Sequence, residues 1–133
     1  MSWSWSILVV LTFGLLLLFL ISRRRSLTQG ERNKVYRKWQ ELKELENQRR
    51  YKEAIMDADK LFDFVLKSMN VKGITMGERL ISAEKMLDNY HDIWEAHKIR
   101  NRLVHEVDFK ADSRKAEIAL KAFERGIKHL KVM

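Results

Sequence analysis

Lys98-Ile99-Arg100-Asn101-Arg102-Leu103-Val104-His105-Glu106 closes the best-patterned polar-faced helix of this chain. At ~100° per residue, Ile93, Ala96, Ile99, Leu103 and Val104 form one apolar stripe, and Arg100 falls inside it. A guanidinium in an apolar stripe is costly unless it is paired and hydrogen-bonded. Asn101 and His105 are four apart and stack on the adjoining face, with His97 and Trp94 close by. A fixed cation, an amide and an imidazole therefore converge along one helix edge. Two roles fit: handling a phosphate, or forming a buried structural network. The best carboxylate partner for Arg100 is Asp59, at the edge of an earlier helix's apolar stripe, with Asp63 one turn on.

The helices around this stretch can be read from the same periodicity. A first soluble helix near Glu31–Glu46 carries a narrow stripe of Val35, Trp39, Leu42 and Leu45 amid Lys, Arg and Glu, a pattern that suits a stalk standing partly clear of the bundle. A break is expected at Asn47-Gln48. The next helix, about Arg49–Met69, has a broad stripe of Tyr51, Ala54, Ile55, Ala58, Leu61, Phe62, Val65, Leu66 and Met69, with Asn70 and Gly73 suited to its stop. Thr75-Met76-Gly77-Glu78 has the form of a capping box opening a third helix through about Met86. Asp88 or Asn89 is placed to cap the helix of about Tyr90–His105, and Asp112 or Ser113 to start a last one with Ala116, Ala119, Leu120, Phe123, Ile127 and Leu130 inward.

The N-terminus has a different character. From Trp3 to Ile21, a run of 19 residues, the only polar side chains are Ser4, Ser6 and Thr12. Such a helix spans roughly 28 Å, close to the ~30 Å hydrocarbon core of a bilayer. Trp3 and Trp5 sit where an interfacial aromatic anchor belongs, and Arg23, Arg24 and Arg25 close the other end. A signal peptide wants basic residues before the apolar run and a small-residue cleavage site after it; this segment has the opposite polarity. The positive-inside rule then puts the N-terminus outside and residues 23–133 in the cytoplasm.

The expected class is all-α: a single transmembrane helix followed by an antiparallel four- to five-helix bundle. The organisation read from the sequence is an anchor over 1–22, a basic juxtamembrane segment and stalk helix over 23–48, and a helical bundle over 49–133. With 133 residues the chain holds at most one such domain. It has no Cys, which excludes disulfides and thiolate chemistry, and no Pro and only five Gly, which favours long helices. Removing the three anchor-flanking arginines leaves 23 basic and 18 acidic residues, a mildly basic surface that permits nucleic acid or anionic lipid. His91 and His97 are six apart, a poor spacing for two metal ligands on one helix face, so no metal site is expected. No phosphate-cradling Gly loop is present, and no cofactor is called for.

Arg100 and Asn101 followed by three residues and His105 resemble the signature of HEPN domains (higher eukaryotes and prokaryotes nucleotide-binding), in which Arg, four to six residues and His mark the second half of a small helical bundle. The resemblance extends over roughly Tyr51 to Leu130. Ala54-Ile55-Met56-Asp57-Ala58-Asp59-Lys60 and Asp108-Phe109 are similar to segments of small bacterial HEPN-like proteins of unknown function. The resemblance implies a metal-independent endoribonuclease, working as a homodimer in which a ribose 2′-hydroxyl attacks the neighbouring phosphate. Carried onto this chain, His105 moves the proton, Arg100 stabilises charge on the phosphoryl oxygens, and Asn101 orients the phosphate or the His. Asp59, Asp63 and His97 support them, and Lys98, Arg102 and Lys110 flank the motif where an RNA backbone would run. HEPN relatives also include non-catalytic dimerising modules, so enzymatic activity stays open.

Three expectations follow: a tethered domain that binds, and in its active form cleaves, RNA or a nucleotide; a tethered dimeric interaction module in which Arg100, Asn101 and His105 build the interface or core; and a component of a membrane assembly with Glu31–Glu46 as a helical docking surface that recruits an unidentified protein through Trp39. The lipid bilayer is a partner in all three.

Overall fold

The computed structural model describes residues 2–133 (of Ser2, the backbone), and every element in it is helical. α1 is Ser2–Ser22, α2 Gln29–Asn47, α3 Tyr51–Ser68, α4 Met76–Ser82, α5 Tyr90–His105 and α6 Ser113–His129, with a 3₁₀ turn at Glu84–Met86. α1 has no polar face. Its span Trp3–Ser22 has a mean hydropathy of 2.6, and none of it is buried against the rest of the chain. It is long and apolar enough to cross a membrane, and it is not a core helix of the bundle.

The remaining helices gather around α3, which touches α2, α4, α5 and α6, while α5 and α6 also pack on each other. The apolar stripes explain this arrangement. α3 buries Ala54, Ile55, Ala58, Leu61, Phe62, Val65 and Leu66, and α6 buries Ala116, Ala119, Leu120, Phe123 and Ile127. Phe62 and Phe123 meet at the centre, ring centroids 5.5 Å apart. α2 departs from the expected stalk. Val35, Trp39 and Leu42 are all buried against α3, so α2 is a member of the bundle, and Trp39 is unavailable as a docking residue. A stripe three residues long suffices because the broad face of α3 supplies the partner surface.

Several boundaries moved for local reasons. α2 begins two residues before Glu31, because Thr28 and Glu31 form a capping box: the Glu31 N–H donates to Thr28 Oγ1 (3.2 Å) and the Thr28 N–H to Glu31 Oε2 (3.1 Å). The Thr75/Glu78 box opens α4 as expected. That helix stops at Ser82 instead of reaching Met86. The Ala83 N–H is shared between the carbonyls of Arg79 and Leu80, and the chain tightens into the 3₁₀ turn that lets Leu87 bury. Asn89 occupies the cap position of α5 without capping it; its amide donates across to the Ala122 carbonyl on α6 (3.0 Å). Asp112 caps α6 through the Lys115 N–H (2.8 Å). The Lys115 side chain, then its backbone N–H, hold the Asp112 carboxyl below the usual carboxylate range.

Three helices end in Schellman motifs whose left-handed residue is not glycine: Arg49 (φ 60°), Asn70 (φ 58°) and Lys131 (φ 56°). In each the following N–H reaches back to the carbonyl five residues before it, as Arg50 to Leu45, Val71 to Leu66 and Val132 to Ile127. A real glycine is needed elsewhere. At Gly126 a Cβ would stand 2.6 Å from Ile93 Cδ1 and 2.8 Å from Phe62 Cε2, because α6 crosses α5 and α3 at that point.

Gly126→Ala is expected to destabilise the bundle by about 1–2 kcal/mol, overpacking outweighing the ~1 kcal/mol gain in helix propensity. Arg49→Gly, at an exposed left-handed position, is expected to stabilise it by about 0.5–1 kcal/mol. Urea unfolding of the two variants beside wild type checks both signs.

Candidate functional site

A cleft of about 500 Å³ opens between α3, the start of α4 and α5. α3 lends Asp59, Lys60 and Asp63, the capped first turn of α4 lends Thr75, Met76 and Gly77, and α5 lends Trp94, His97, Lys98, Arg100 and Asn101. Asp59 is the buried anchor, 4% exposed. Its Oδ1 accepts from His97 Nδ1 at 2.7 Å, and its Oδ2 lies 3.5 Å from Arg100 Nε, an ion pair too long to be a hydrogen bond. The expected Asp59–Arg100 pair is thus present, with His97 as the closer partner of the carboxylate.

The hydrogen bonds fix the tautomer. Arg100 Nη1 donates to Asn101 Oδ1 (3.0 Å), which turns the amide nitrogen of Asn101 toward His97 Nε2 (3.2 Å). An NH₂ group can only donate there, so Nε2 presents its lone pair and the ring proton sits on Nδ1, facing Asp59. Arg100, Asn101, His97 and Asp59 form one directional chain of donors ending on a carboxylate. Trp94 packs against the imidazole (centroids 6.0 Å) and Tyr90 against Trp94 (6.1 Å).

Asp63, one turn on from Asp59 and expected as a supporting residue, is committed to another arginine. It takes Arg79 in a two-pronged ion pair, Nε to Oδ1 at 2.5 Å and Nη2 to Oδ2 at 3.0 Å, while Arg79 Nη1 donates to the Gly73 carbonyl (2.6 Å). Gly73 has φ 148° with the Arg79 backbone nitrogen 2.6 Å from where a Cβ would lie, so only glycine closes this loop. The two inward arginines therefore differ. Arg79, its side chain 6% exposed, has a partner at each of its three guanidinium nitrogens. Arg100, 29% exposed at the cleft wall, uses Nη1 alone, and among the described residues its other donors meet no hydrogen-bond acceptor.

His105 does not share this cleft. It is exposed on the last turn of α5 and lines another depression of about 510 Å³, with Arg49 to Glu53, Phe109 and Lys110. Val104, expected in the apolar stripe, is also exposed, because the last turn of α5 borders that depression instead of a neighbouring helix. The buried face of α5 is Ile93, Ala96, His97 and Leu103. The three flanking cations are likewise dispersed. Lys98 lines the cleft and pairs with Glu95 (2.8 Å), and Lys110 lines the other depression. Arg102 clasps Glu106 through Nε and Nη2 and lies 3.9 Å above the Phe109 ring. That clasp holds the Glu106 carboxyl below its ordinary range. Among the described residues, no three His, Asp or Glu side chains gather into a set able to hold a metal ion.

The central place of His97 was open to a closer reading of spacing: positions 93, 97 and 100 fall within ~60° of one another on a helix, so an imidazole there shares the inward face with Arg100. Compared with protein-family models, with curated proteins and with solved structures, the chain finds no match.

Asp59→Asn removes the charge that both His97 and Arg100 face. It is expected to cost about 2 kcal/mol, the part-exposed guanidinium being relieved by water. Nitrogen-15 shifts of the wild-type His97 ring near neutral pH are expected to show the proton on Nδ1 and a bare Nε2; the reverse pattern contradicts the donor chain.

Proposed function

We propose that this chain is a membrane-tethered, HEPN-like domain whose cleft takes a phosphate of RNA or a nucleotide, with α1 spanning the bilayer and an antiparallel bundle on its cytoplasmic side. The observation that carries this reading is the open guanidinium of Arg100. It is held in place by Asn101 and Asp59, it stands at the wall of a cleft, and it has donors to spare, where Arg79 has a partner at every guanidinium nitrogen. With Nε buried beside Asp59 and Nη1 on Asn101, Nη2 is the guanidinium nitrogen left to donate to a phosphate oxygen. Lys60 and Lys98 line the same cleft, Lys98 paired with Glu95, and the Asp59 and Asp63 carboxylates there face His97 and Arg79. The Arg100, Asn101 and His105 spacing that resembles the HEPN signature supports the same class of ligand, and the arginines at 23–25 support the cytoplasmic placement.

If the domain cleaves RNA, the imidazole sharing the cleft with Arg100 is His97. A buried carboxylate orients the ring, and Nε2, which now accepts from Asn101, is the nitrogen that would take a substrate proton in exchange for that amide, an arrangement suited to a general base. Arg100 then stabilises charge growing on the phosphoryl oxygens. A second reading, a non-catalytic dimerising interaction module, is favoured by one feature: both ring nitrogens of His97 already have partners within the chain.

The full chain in nanodiscs, titrated with labelled single-stranded RNA over a series of salt concentrations, separates the two. Binding that weakens with salt, with the log–log slope smaller by about 0.7 in Arg100→Ala, is expected for a phosphate held by that side chain. End-labelled RNA with excess chelator tests chemistry: cyclic phosphate ends from wild type, absent in His97→Ala, place the base at His97, and loss in His105→Ala places it at His105. Failure of the folded chain to bind, together with a stable dimer, selects the interaction module.

A further inference from the structure

The segment joining α1 to the bundle is clipped in place. The Arg25 N–H donates to the Met69 carbonyl (3.2 Å), its Nη1 to the Ser68 carbonyl (2.7 Å) and its Nη2 to Glu31 (2.7 Å), so a guanidinium sits at the negative end of α3. Leu27 is buried two residues later, and Arg32 donates to the Lys131 carbonyl at the end of α6. Ser22 and Arg24, at the exit of α1, line one depression with Asn70, Val71, Lys72 and Ser82. The chain leaving α1 is therefore held against the α3–α4 corner of the bundle.

That corner is amphipathic. Ile74 is 89% exposed and Ile81 60% exposed, next to Lys72 and Ser82 of the shared depression. Arg23, Arg24, Lys72 and Lys85 are exposed cations, and among the described residues none of them has a carboxylate within ion-pair distance. Glu78 is turned back onto the Ile74 and Thr75 N–H groups, which leaves Glu84 as the one uncommitted carboxylate of α4 and the 3₁₀ turn. Two projecting isoleucines among cations, beside the exit of an apolar helix, have the chemistry of an interfacial lipid contact.

We infer that the α3–α4 corner docks on the anionic headgroup surface of the bilayer that α1 crosses, Ile74 and Ile81 entering the interface and Arg24 and Lys72 meeting lipid phosphates. This rests on the reading of α1 as a membrane span. It gives the bundle a fixed pose. Measured along α3, Asp59 lies nine residues, ~14 Å, from the docked end, and the Tyr51 end that borders the His105 depression a further ~12 Å. The cleft takes its α4 wall, Thr75 to Gly77, from residues that adjoin the docked corner.

The absence of cysteine makes single labels unambiguous. The full chain is reconstituted in phosphatidylcholine vesicles with and without phosphatidylglycerol, carrying a polarity-sensitive fluorophore at Val10→Cys, Ile74→Cys, Ile81→Cys or Val107→Cys. Expected are quenching by spin-labelled lipid at 10, 74 and 81 but not at 107, and stronger quenching at 74 and 81 when anionic lipid is present. Arg24→Gln and Lys72→Gln are each expected to shift the docked-to-undocked ratio about fivefold. Quenching at 10 with water-exposed labels at 74 and 81 overturns the docking while leaving the span intact. Labels at 74 and 81 that are shielded from water yet unquenched by lipid overturn it in favour of a second copy on that corner. A label at 10 that lipid does not quench removes the span and the docking together.

Discussion

A carboxylate placed inside a helical core organises this molecule. Asp59 lies on the buried face of α3, flanked by Ala58 and, one turn on, by Phe62, where an isolated charge is untenable. Its two oxygens are met by His97 and Arg100 of α5, so the register of α5 on α3 is set by a charge that has to be compensated. Packing against apolar stripes alone leaves helices free to slide by a turn at modest cost. A buried charge with two partners at fixed positions does not.

The other polar fixtures work in the same way at smaller scale. Arg79 ties α4 to α3 through Asp63 and closes the loop at Gly73, Asn89 ties the start of α5 to α6, and Arg25 ties the exit of α1 to the end of α3. Each fixes the end of one element against a neighbour. The core is left to Phe62, Phe123, Ile93 and Ile127, with Gly126 allowing the backbone of α6 to come close. A bundle fixed in this way presents one cleft beside the start of α4 and another depression at its opposite end, each with an imidazole. The clip at Arg25 fixes the point on the bundle from which the apolar helix departs.

Arginine illustrates how burial alone fails to indicate function. Arg79 is the more deeply buried, yet a carboxylate and a carbonyl meet all three of its nitrogens, and it has nothing to offer a ligand. Arg100 makes a single hydrogen bond and lines a cleft, with its Nε buried beside Asp59 and no acceptor for Nη2 among the described residues. The difference lies in the count of satisfied hydrogens, a property of the assembled structure.

Helix content, the apolar N-terminal span, the Thr75 capping box, the break at Asn47 and the inward faces of α3 and α6 were all legible in the sequence, because each depends on residues within a turn or two of one another. Asp59 as the partner of Arg100 was legible too, since few carboxylates sit on an apolar stripe. The packing of α2, the end of α4 at Ser82, the pairing of Asp63 with Arg79 and the insertion of His97 between Asp59 and Asn101 were decided only by tertiary structure. Each depends on which neighbour arrives opposite a side chain, and spacing along one helix fixes the direction in which a side chain points without fixing what it meets there.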